Sequence, residues 1–123
     1  MGIDIFARWK GQTEDERKKQ AKVWLVPTAG DQGYLREAYH GEPYALTHLC
    51  AEAFKAEDGA PITAQTLRER LPHALELAEE RGRNLNQTDE QTEMVKQSLR
   101  DFVDFCEGKE QETGEPVVIG AWW

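Results

Sequence analysis

The sequence predicts an α+β fold in which a small, largely antiparallel sheet of about four strands carries helices on one face. Strand-like segments lie near both ends of the chain, an alternating one at the start and an apolar one, Pro116–Trp123, at the other end. Between them come helical patterns with capping signals. The 123 residues suit a single domain, residues 1–123, that is large enough to fold without a disulfide or a structural metal.

The first strand and the first helix have distinct local patterns. Apolar side chains alternate with others from Ile3 to Trp9, which is typical of a half-buried strand with Ile3, Ile5 and Ala7 on its core face. Thr13 and Glu16 have the spacing of a capping box and predict a polar surface helix that ends at about residue 22.

Two more strands are predicted before residue 41. Val23–Val26 is a short apolar run closed by Pro27, and the pattern predicts a second strand there. Tyr34–His40 lies between Gly33 and Gly41, and these bounding glycines predict a third strand.

Helical patterns occupy the middle of the chain. Pro43 suits the first turn of a helix with an apolar stripe over Leu46–Phe54, which should stop near Gly59. Thr63 can cap the next helix, and Pro72 either kinks that helix or begins another one.

The strongest amphipathic pattern follows Thr88 and Gln91, which form a second capping box. Apolar residues then recur at helical spacing: Val95, Leu99, Phe102, Val103 and Cys106. Residues 108–115 are predicted to form a polar loop before the last strand, which is too apolar to lie uncovered on a sheet edge. Cys50 and Cys106 both fall on helix stripes and are interpreted as reduced core residues.

Charge, hydropathy and motif spacing argue against nucleic-acid binding, membrane association and metal or cofactor binding. The formal net charge is −8, and residues 63–123 hold 13 acidic against 7 basic side chains, so we expect no direct binding to nucleic acid. No run is apolar enough to span a membrane and no signal peptide is evident, so we expect a soluble cytoplasmic protein without membrane association. His48, Cys50 and Glu52 lack metal-ligand spacing, and no phosphate-binding glycine loop occurs, so we expect no metal or cofactor.

One segment departs from the pattern of a simple core. All three tyrosines of the protein lie within residues 33–44, together with ionisable groups, and the candidate ligand-binding residues are Tyr34, Arg36, Glu37, Tyr39, His40 and Tyr44. On a strand, Tyr34, Arg36 and His40 share one face, whereas Glu37 and Tyr39 lie on the other. Either face therefore brings a charged group towards the core, which costs free energy unless that group is paired or serves a site.

Three interpretations of this segment stay open. Its polar groups could form a structural network that sets the strand register. They could instead form a binding site, in which free N–H groups at the start of the following helix receive an anion, although Glu42 could already satisfy those groups. In the third interpretation His40 is a general acid or base with Glu37 or Arg36, but the opposite directions of His40 and Glu37 on a strand disfavour that pair.

Three stretches of the chain resemble a group of small uncharacterised bacterial and phage-type proteins. They are MGIDIFARW at residues 1–9, GYLREAYHGEPYA at residues 33–45 and TLRERLP at residues 66–72. The resemblance spans most of the chain and implies a free-standing cytoplasmic domain. It implies no activity, cofactor or catalytic residue.

The leading hypothesis is a non-enzymatic binding or interaction protein, monomeric or homodimeric, whose site lies at residues 34–44. Its ligand would be a small anionic or nucleotide-like molecule or a protein partner. The first alternative is an acidic decoy or inhibitor that presents its C-terminal half to a nucleic-acid-binding protein. The acidic residues of that surface are Glu76, Glu79, Glu80, Glu90, Glu93, Asp101 and Asp104. The second alternative is a small hydrolase or transferase that uses His40.

Overall fold

A computed structural model describes residues 2–26, 28–39 and 41–123. Its one sheet has four strands, which are β1 (Gly2–Arg8), β2 (Tyr34–Ala38), β3 (Ala60–Ile62) and β4 (Val117–Trp122). The strand order is β2-β1-β4-β3, and every neighbouring pair is antiparallel. The predicted α+β fold class is therefore confirmed.

The helices fill the connections between these strands. They are α1 (Glu14–Lys22), α2 (Ala45–Leu49), α3 (Ala64–Asn84) and α4 (Asp89–Thr113), with short 3-10 turns at Gly30–Gln32 and Ala51–Phe54. None of the helices in the described ranges has the length and apolar character needed to cross a membrane.

The alternation in β1 divides the sheet into a covered and an open face. Ile3, Ile5 and Ala7 are buried in a core that also contains apolar residues of β2, β4, α2, α3 and α4. Asp4 and Phe6 lie on the opposite face, because successive side chains of a strand point to opposite sides. Helices α2, α3 and α4 thus cover one face, and α1 lies against part of the other.

Three of the predicted helix starts are confirmed by capping hydrogen bonds, whereas α2 begins at Ala45, two residues after the predicted Pro43, and has no side-chain cap. The backbone N–H of Glu16 donates to Thr13 Oγ1 over 3.1 Å and the Thr13 N–H donates back to the Glu16 carboxylate over 3.0 Å. Thr88 and Gln91 exchange the same pair of bonds at the start of α4, and Thr63 caps α3. A cap satisfies amide donors that have no partner within the helix, so these boundaries are set locally.

The helix ends differ more from the prediction. No second helix begins at Pro72, because α3 continues unbroken to Asn84. The last helix runs through the predicted loop to Thr113 and ends at Gly114, which has a φ of +76°. The apolar stripe predicted as one helix to residue 59 is divided into α2 and the 3-10 turn Ala51–Phe54.

The predicted strand at Val23–Val26 is wrong. The N–H groups of Val23 and Trp24 donate to carbonyls of α1, at Gln20 and Ala21, so the chain leaves the helix in a turn rather than an extended strand. Local hydrogen bonding at the helix end has overridden the β-propensity of this apolar run. The strand that completes the sheet is β3, whose three residues include Pro61 and carry no alternating pattern to detect.

The remaining predictions concern strand ends and cysteines. Strand β2 ends at Ala38, and His40, predicted as its last residue, lies outside the described residues. Strand β4 is interior to the sheet, between β1 and β3, as its apolar sequence required. Cys50 and Cys106 are buried free thiols, and burial raises the pKa of both well above the usual value.

Candidate functional site

A hydrogen-bonded network occupies the open face of β1 and β2. The register places Asp4 opposite Arg36, and Arg36 Nη1 donates to the two carboxylate oxygens of Asp4 over 2.9 and 3.0 Å. The Tyr34 hydroxyl also donates to Asp4 and accepts the N–H of Leu25 over 2.9 Å. Hydrogen bonds to Asp4 raise the pKa of Arg36, and burial together with the Asp4 bond raises the pKa of Tyr34 to about 12. Both groups therefore keep their protons and are already partnered.

Glu37 lies on the covered face of the sheet and is buried. Its carboxylate accepts the N–H of Ala45 over 2.8 Å and the N–H of Leu46 over 3.1 Å, at the start of α2. Burial raises the pKa of Glu37, and these two bonds oppose that rise. The helix start considered as an anion site is thus occupied by Glu37, and not by Glu42.

Tyr39 and Tyr44 meet on the loop between β2 and α2. Their rings are edge to face with centroids 6.2 Å apart, and the guanidinium of Arg81 lies 5.0 Å from the Tyr44 centroid. Arg81 donates to the carbonyls of Ala38 and Gly41. This arginine of α3 thus binds backbone carbonyls of the segment between β2 and α2. The sequence did not predict this role, because Arg81 is one of several charged residues in a helix.

The six residues predicted from the sequence therefore do not form one cluster. Tyr34 and Arg36 share the open face, Glu37 is buried on the covered face, and Tyr39 and Tyr44 lie beyond the end of the strand. His40 is outside the described residues, so its predicted role stays a prediction. The contacts of the other five resemble the structural network that the sequence left open as one interpretation.

A cleft of about 310 Å³ opens beside this network, and we call it the first compartment. Its lining comes from β1, α1, the turn after α1 and β4: Asp4, Phe6, Arg8, Arg17, Gln20, Ala21, Trp24 and Trp122. Aromatic rings and two arginine side chains therefore converge on one concave surface, which is a common composition of a binding site.

The two arginines of the first compartment have no acidic partner. Within the described ranges neither Arg8 nor Arg17 forms an ion pair, and Arg8 Nη1 is inaccessible to solvent and lacks any hydrogen-bond partner. The Arg8 guanidinium lies 5.9 Å from the centroid of Phe6. Burial and the positive charge of Arg17 lower the pKa of Arg8. The site thus holds two cations, and no carboxylate of the described residues lies within ion-pair distance of either one.

A second compartment of about 350 Å³ adjoins the first and shares Asp4, Trp24 and Trp122 with it. Gly2, Leu25, Arg36 and Trp123 complete its lining. We call the two compartments together the open-face groove. Its apolar walls are exposed: Trp24 by 55%, Leu25 by 51%, Trp122 by 69% and Trp123 by 63%. Four large apolar side chains are thus more than half exposed along one groove.

Buried hydrogen bonds hold the walls of the groove in place. The side-chain amide of Gln20 donates to the carbonyls of Ala7 and Gly33 over 2.8 and 3.0 Å, which fastens α1 to the sheet. Leu25 has a φ of +76° and is tied to Tyr34 by its N–H group. The sequence analysis noted the apolar run Val23–Val26, which contributes to this wall, but interpreted it as a strand of the sheet.

Comparisons with protein-family models, with curated proteins and with solved structures give no match to this chain, so the resemblance described from its sequence stays a prediction.

Proposed function

We propose that this protein is a non-enzymatic binding protein whose ligand lies in the open-face groove and places an anionic group between Arg8 and Arg17. The observation that carries the proposal is the pair of arginines without a carboxylate partner in the first compartment. Guanidinium groups bind carboxylates and phosphates through charge-assisted hydrogen bonds, and an anion in the cleft would also offset the positive charge that Arg8 and Arg17 place there.

The energetics of the groove favour such a ligand. A buried polar group without a partner costs about 1–3 kcal/mol, and the proximity of Arg17 to Arg8 adds repulsion. A ligand anion in the cleft offsets the repulsion between the two arginines when it binds. The protein has a net charge of −8, so this local positive site contrasts with the charge of the whole chain and favours selective rather than general attraction of anions.

The open face of the sheet is better suited to binding than the sheet edges. On the outer edge of β2 the N–H of Tyr34 already donates to the carbonyl of Ala29, and the carbonyl of Ala38 accepts from Arg81. The other edge strand, β3, has three residues and contains Pro61, which has no N–H to donate. Strand β3 therefore offers a partner strand few backbone groups, and two groups on the outer edge of β2 are engaged within the protein.

Two residues of the predicted segment 34–44 contact or support this groove. Arg36 lines the second compartment, and Tyr34 holds Asp4 and Leu25 in place. In this proposal both are positioning residues, since their polar atoms are engaged within the protein. This proposal therefore places the anion contact at Arg8 and Arg17, and not at the candidate residue Arg36.

Thermal melting in the presence of anions tests the proposal. The probes are inorganic phosphate, adenosine monophosphate and indole-3-acetate, applied to wild type, Arg8→Gln and Arg17→Gln. We expect at least one aromatic anion to raise the melting temperature of wild type and to do so much less in the two variants. Lys18→Gln is the matched control, because it removes the same charge from the next residue of α1 and Lys18 lies outside the cleft lining.

The outcomes separate clearly. A shift that depends on Arg8 and Arg17 but not on Lys18 supports the site. A shift of equal size in all four proteins would assign the effect to general charge and would remove the basis of the proposal.

The acidic-decoy alternative receives less support from the structure. Several of its acidic groups already pair with bases of the same chain: Glu79 with Lys96 at 3.0 Å, Glu93 with Arg100 at 2.9 Å, and Asp104 with Arg68 at 2.6 Å. These pairs reduce the charge available to a basic partner.

A further inference from the structure

We infer that the occupant of the open-face groove is an acidic segment of a partner protein, with one acidic side chain between Arg8 and Arg17 and an apolar side chain in the second compartment. This inference rests on the proposed function, because it names the class of ligand for the same site. Its starting point is the difference in chemistry between the two compartments.

The first compartment offers cations and the second offers apolar walls. Arg8 and Arg17 line only the first, whereas Leu25 and Trp123 line only the second. Trp24 and Trp122 belong to both and join them into one groove. A small anion would fill the first compartment and leave the walls of the second exposed to water, so the groove suits a longer ligand with an anionic and an apolar part.

The area between the two binding regions is polar but already satisfied. Asp4 lines both compartments, and its carboxylate accepts hydrogen bonds from Arg36 and from Tyr34. This floor therefore carries no free charge to attract a second ionic group. A peptide would place only its uncharged backbone over this floor, between its two anchoring side chains. It would therefore leave no buried ion unpaired.

The exposed apolar surface extends beyond what a small molecule would cover. Val26 is exposed next to Leu25, and Val118 lies exposed on the open face of β4. Tryptophan and arginine are the residues that most often dominate the free energy of protein–protein binding. Their concentration here favours a protein partner whose chain continues over the rim of the groove.

The charge distribution limits the partner to few negative charges. Only two arginines in the groove lack an acidic partner among the described residues, and the chain as a whole carries −8. A nucleic-acid strand would bring a phosphate at every nucleotide and would need more cations than the groove provides. One carboxylate beside an apolar side chain matches the site better.

Selection from a random peptide library displayed on phage tests the inference on the intact protein. We expect wild type to enrich peptides that carry one aspartate or glutamate and, two to four residues away, a large apolar side chain. Synthetic peptides of the enriched sequence should bind roughly tenfold more weakly to Arg8→Gln and to Trp123→Ser, as measured by calorimetry. Lys18→Gln and Met94→Ser are the controls, since Met94 is an exposed apolar residue of α4 outside the groove.

Other outcomes overturn the inference in distinguishable ways. Failure of all peptides, while adenosine monophosphate still shifts melting through Arg8 and Arg17, would leave the proposed function standing and remove the peptide as its ligand. Binding of oligothymidylate through the same residues would assign the groove to nucleic acid, and self-association abolished by Arg8→Gln would assign it to a second copy of this chain. If neither anions nor peptides respond to Arg8 and Arg17, both proposals fail.

Discussion

At the scale of single residues, Arg8 and Arg36 differ in how their charge is satisfied. Arg36 shares two hydrogen bonds with Asp4, whereas Arg8 Nη1 is buried without a partner. The same substitution should therefore have opposite effects at the two positions. Removal of an unpaired buried group relieves a cost, but removal of one member of a buried pair leaves the other charge unpaired.

We expect Arg8→Met to raise the free energy of unfolding by about 1 kcal/mol and Arg36→Met to lower it by about 3 kcal/mol. Methionine keeps an apolar stem in the position of the arginine chain, so packing losses are small in both variants. Urea denaturation of the free protein measures both values. If Arg8→Met were as destabilising as Arg36→Met, the guanidinium of Arg8 would have to be hydrogen-bonded in the free protein. The reason to expect an anion beside Arg8 would then be removed.

A second residue-scale feature is the contact of Gly30 with α4. A Cβ atom at Gly30 would lie 2.0 Å from the backbone carbonyl oxygen of Ser98, and the Gly30 N–H donates to Ser98 Oγ over 3.1 Å. The 3-10 turn that contains Gly30 thus packs directly on the helix backbone. No side chain fits between them.

We therefore expect Gly30→Ala to lower the free energy of unfolding by about 3 kcal/mol. Gly108→Ala is the matched control, because Gly108 lies inside α4 and a Cβ atom added there would meet no other atom within 4 Å. Alanine there should stabilise the helix by roughly 0.5–1 kcal/mol. Thermal melting of the two variants gives the comparison, and equal effects would show that the turn can move away from α4.

At the scale of elements, the contact between α2 and α3 brings two histidines together. The rings of His48 and His73 have centroids 4.6 Å apart, and His48 Nε2 is buried without a partner. Burial, then His73 and then Arg70 lower the pKa of His48, while Arg70 is itself paired with Glu52 at 2.6 Å. Both the burial of His48 and its two basic neighbours therefore oppose a proton on this ring.

This arrangement predicts a loss of stability in mild acid. Because the pKa of His48 is lower in the folded than in the unfolded chain, the unfolded chain binds the proton first as the pH falls below about 6.5, and stability falls with it. The raised pKa of Glu37 acts in the opposite direction at lower pH. The comparison of wild type with His48→Gln isolates the histidine: between pH 7 and pH 5 the melting temperature of wild type should fall by roughly 3 °C more. Parallel curves would contradict the predicted coupling.

The elements also show where sequence patterns succeed. The capping residues Thr13, Thr63 and Thr88 were identifiable because the cap and the amides it satisfies lie within four residues of one another. The turn at Val23–Val26 was not identifiable from the sequence, because apolar side chains usually pack in the core and these do not. Trp24 and Leu25 line the groove instead, and an apolar run placed on the surface in this way departs from the ordinary pattern of a core segment.

At the scale of the whole molecule, both layers share one core. Buried side chains of β1, β2 and β4 pack with those of α2, α3 and α4 in a continuous cluster. Arg70, Arg68 and Lys96 add ion pairs between neighbouring elements, and these are partly exposed. No separate apolar cluster occurs within the described residues that could keep one layer folded without the other.

We therefore expect one cooperative unfolding transition. In urea, far-ultraviolet circular dichroism reports mainly on α3 and α4, whereas tryptophan fluorescence reports on the sheet and the groove. The two transitions should have the same midpoint. An earlier fluorescence change would mean that the groove opens before the core unfolds, and α1 would then be a separately unfolding unit.

The sequence by itself determined the fold class, the three capped helix starts and the buried face of β1, because periodicity and capping depend on neighbours a few residues away. It also located an unusual polar segment, of which Arg36 and Glu37 are charged groups that the fold satisfies internally. Only the tertiary structure decided which groups lack partners. Arg8, Arg17, Trp24 and Trp122 come from four separate parts of the chain and form one groove through strand register and the docking of α1. Their proximity is a property of long-range contacts, which no local pattern encodes.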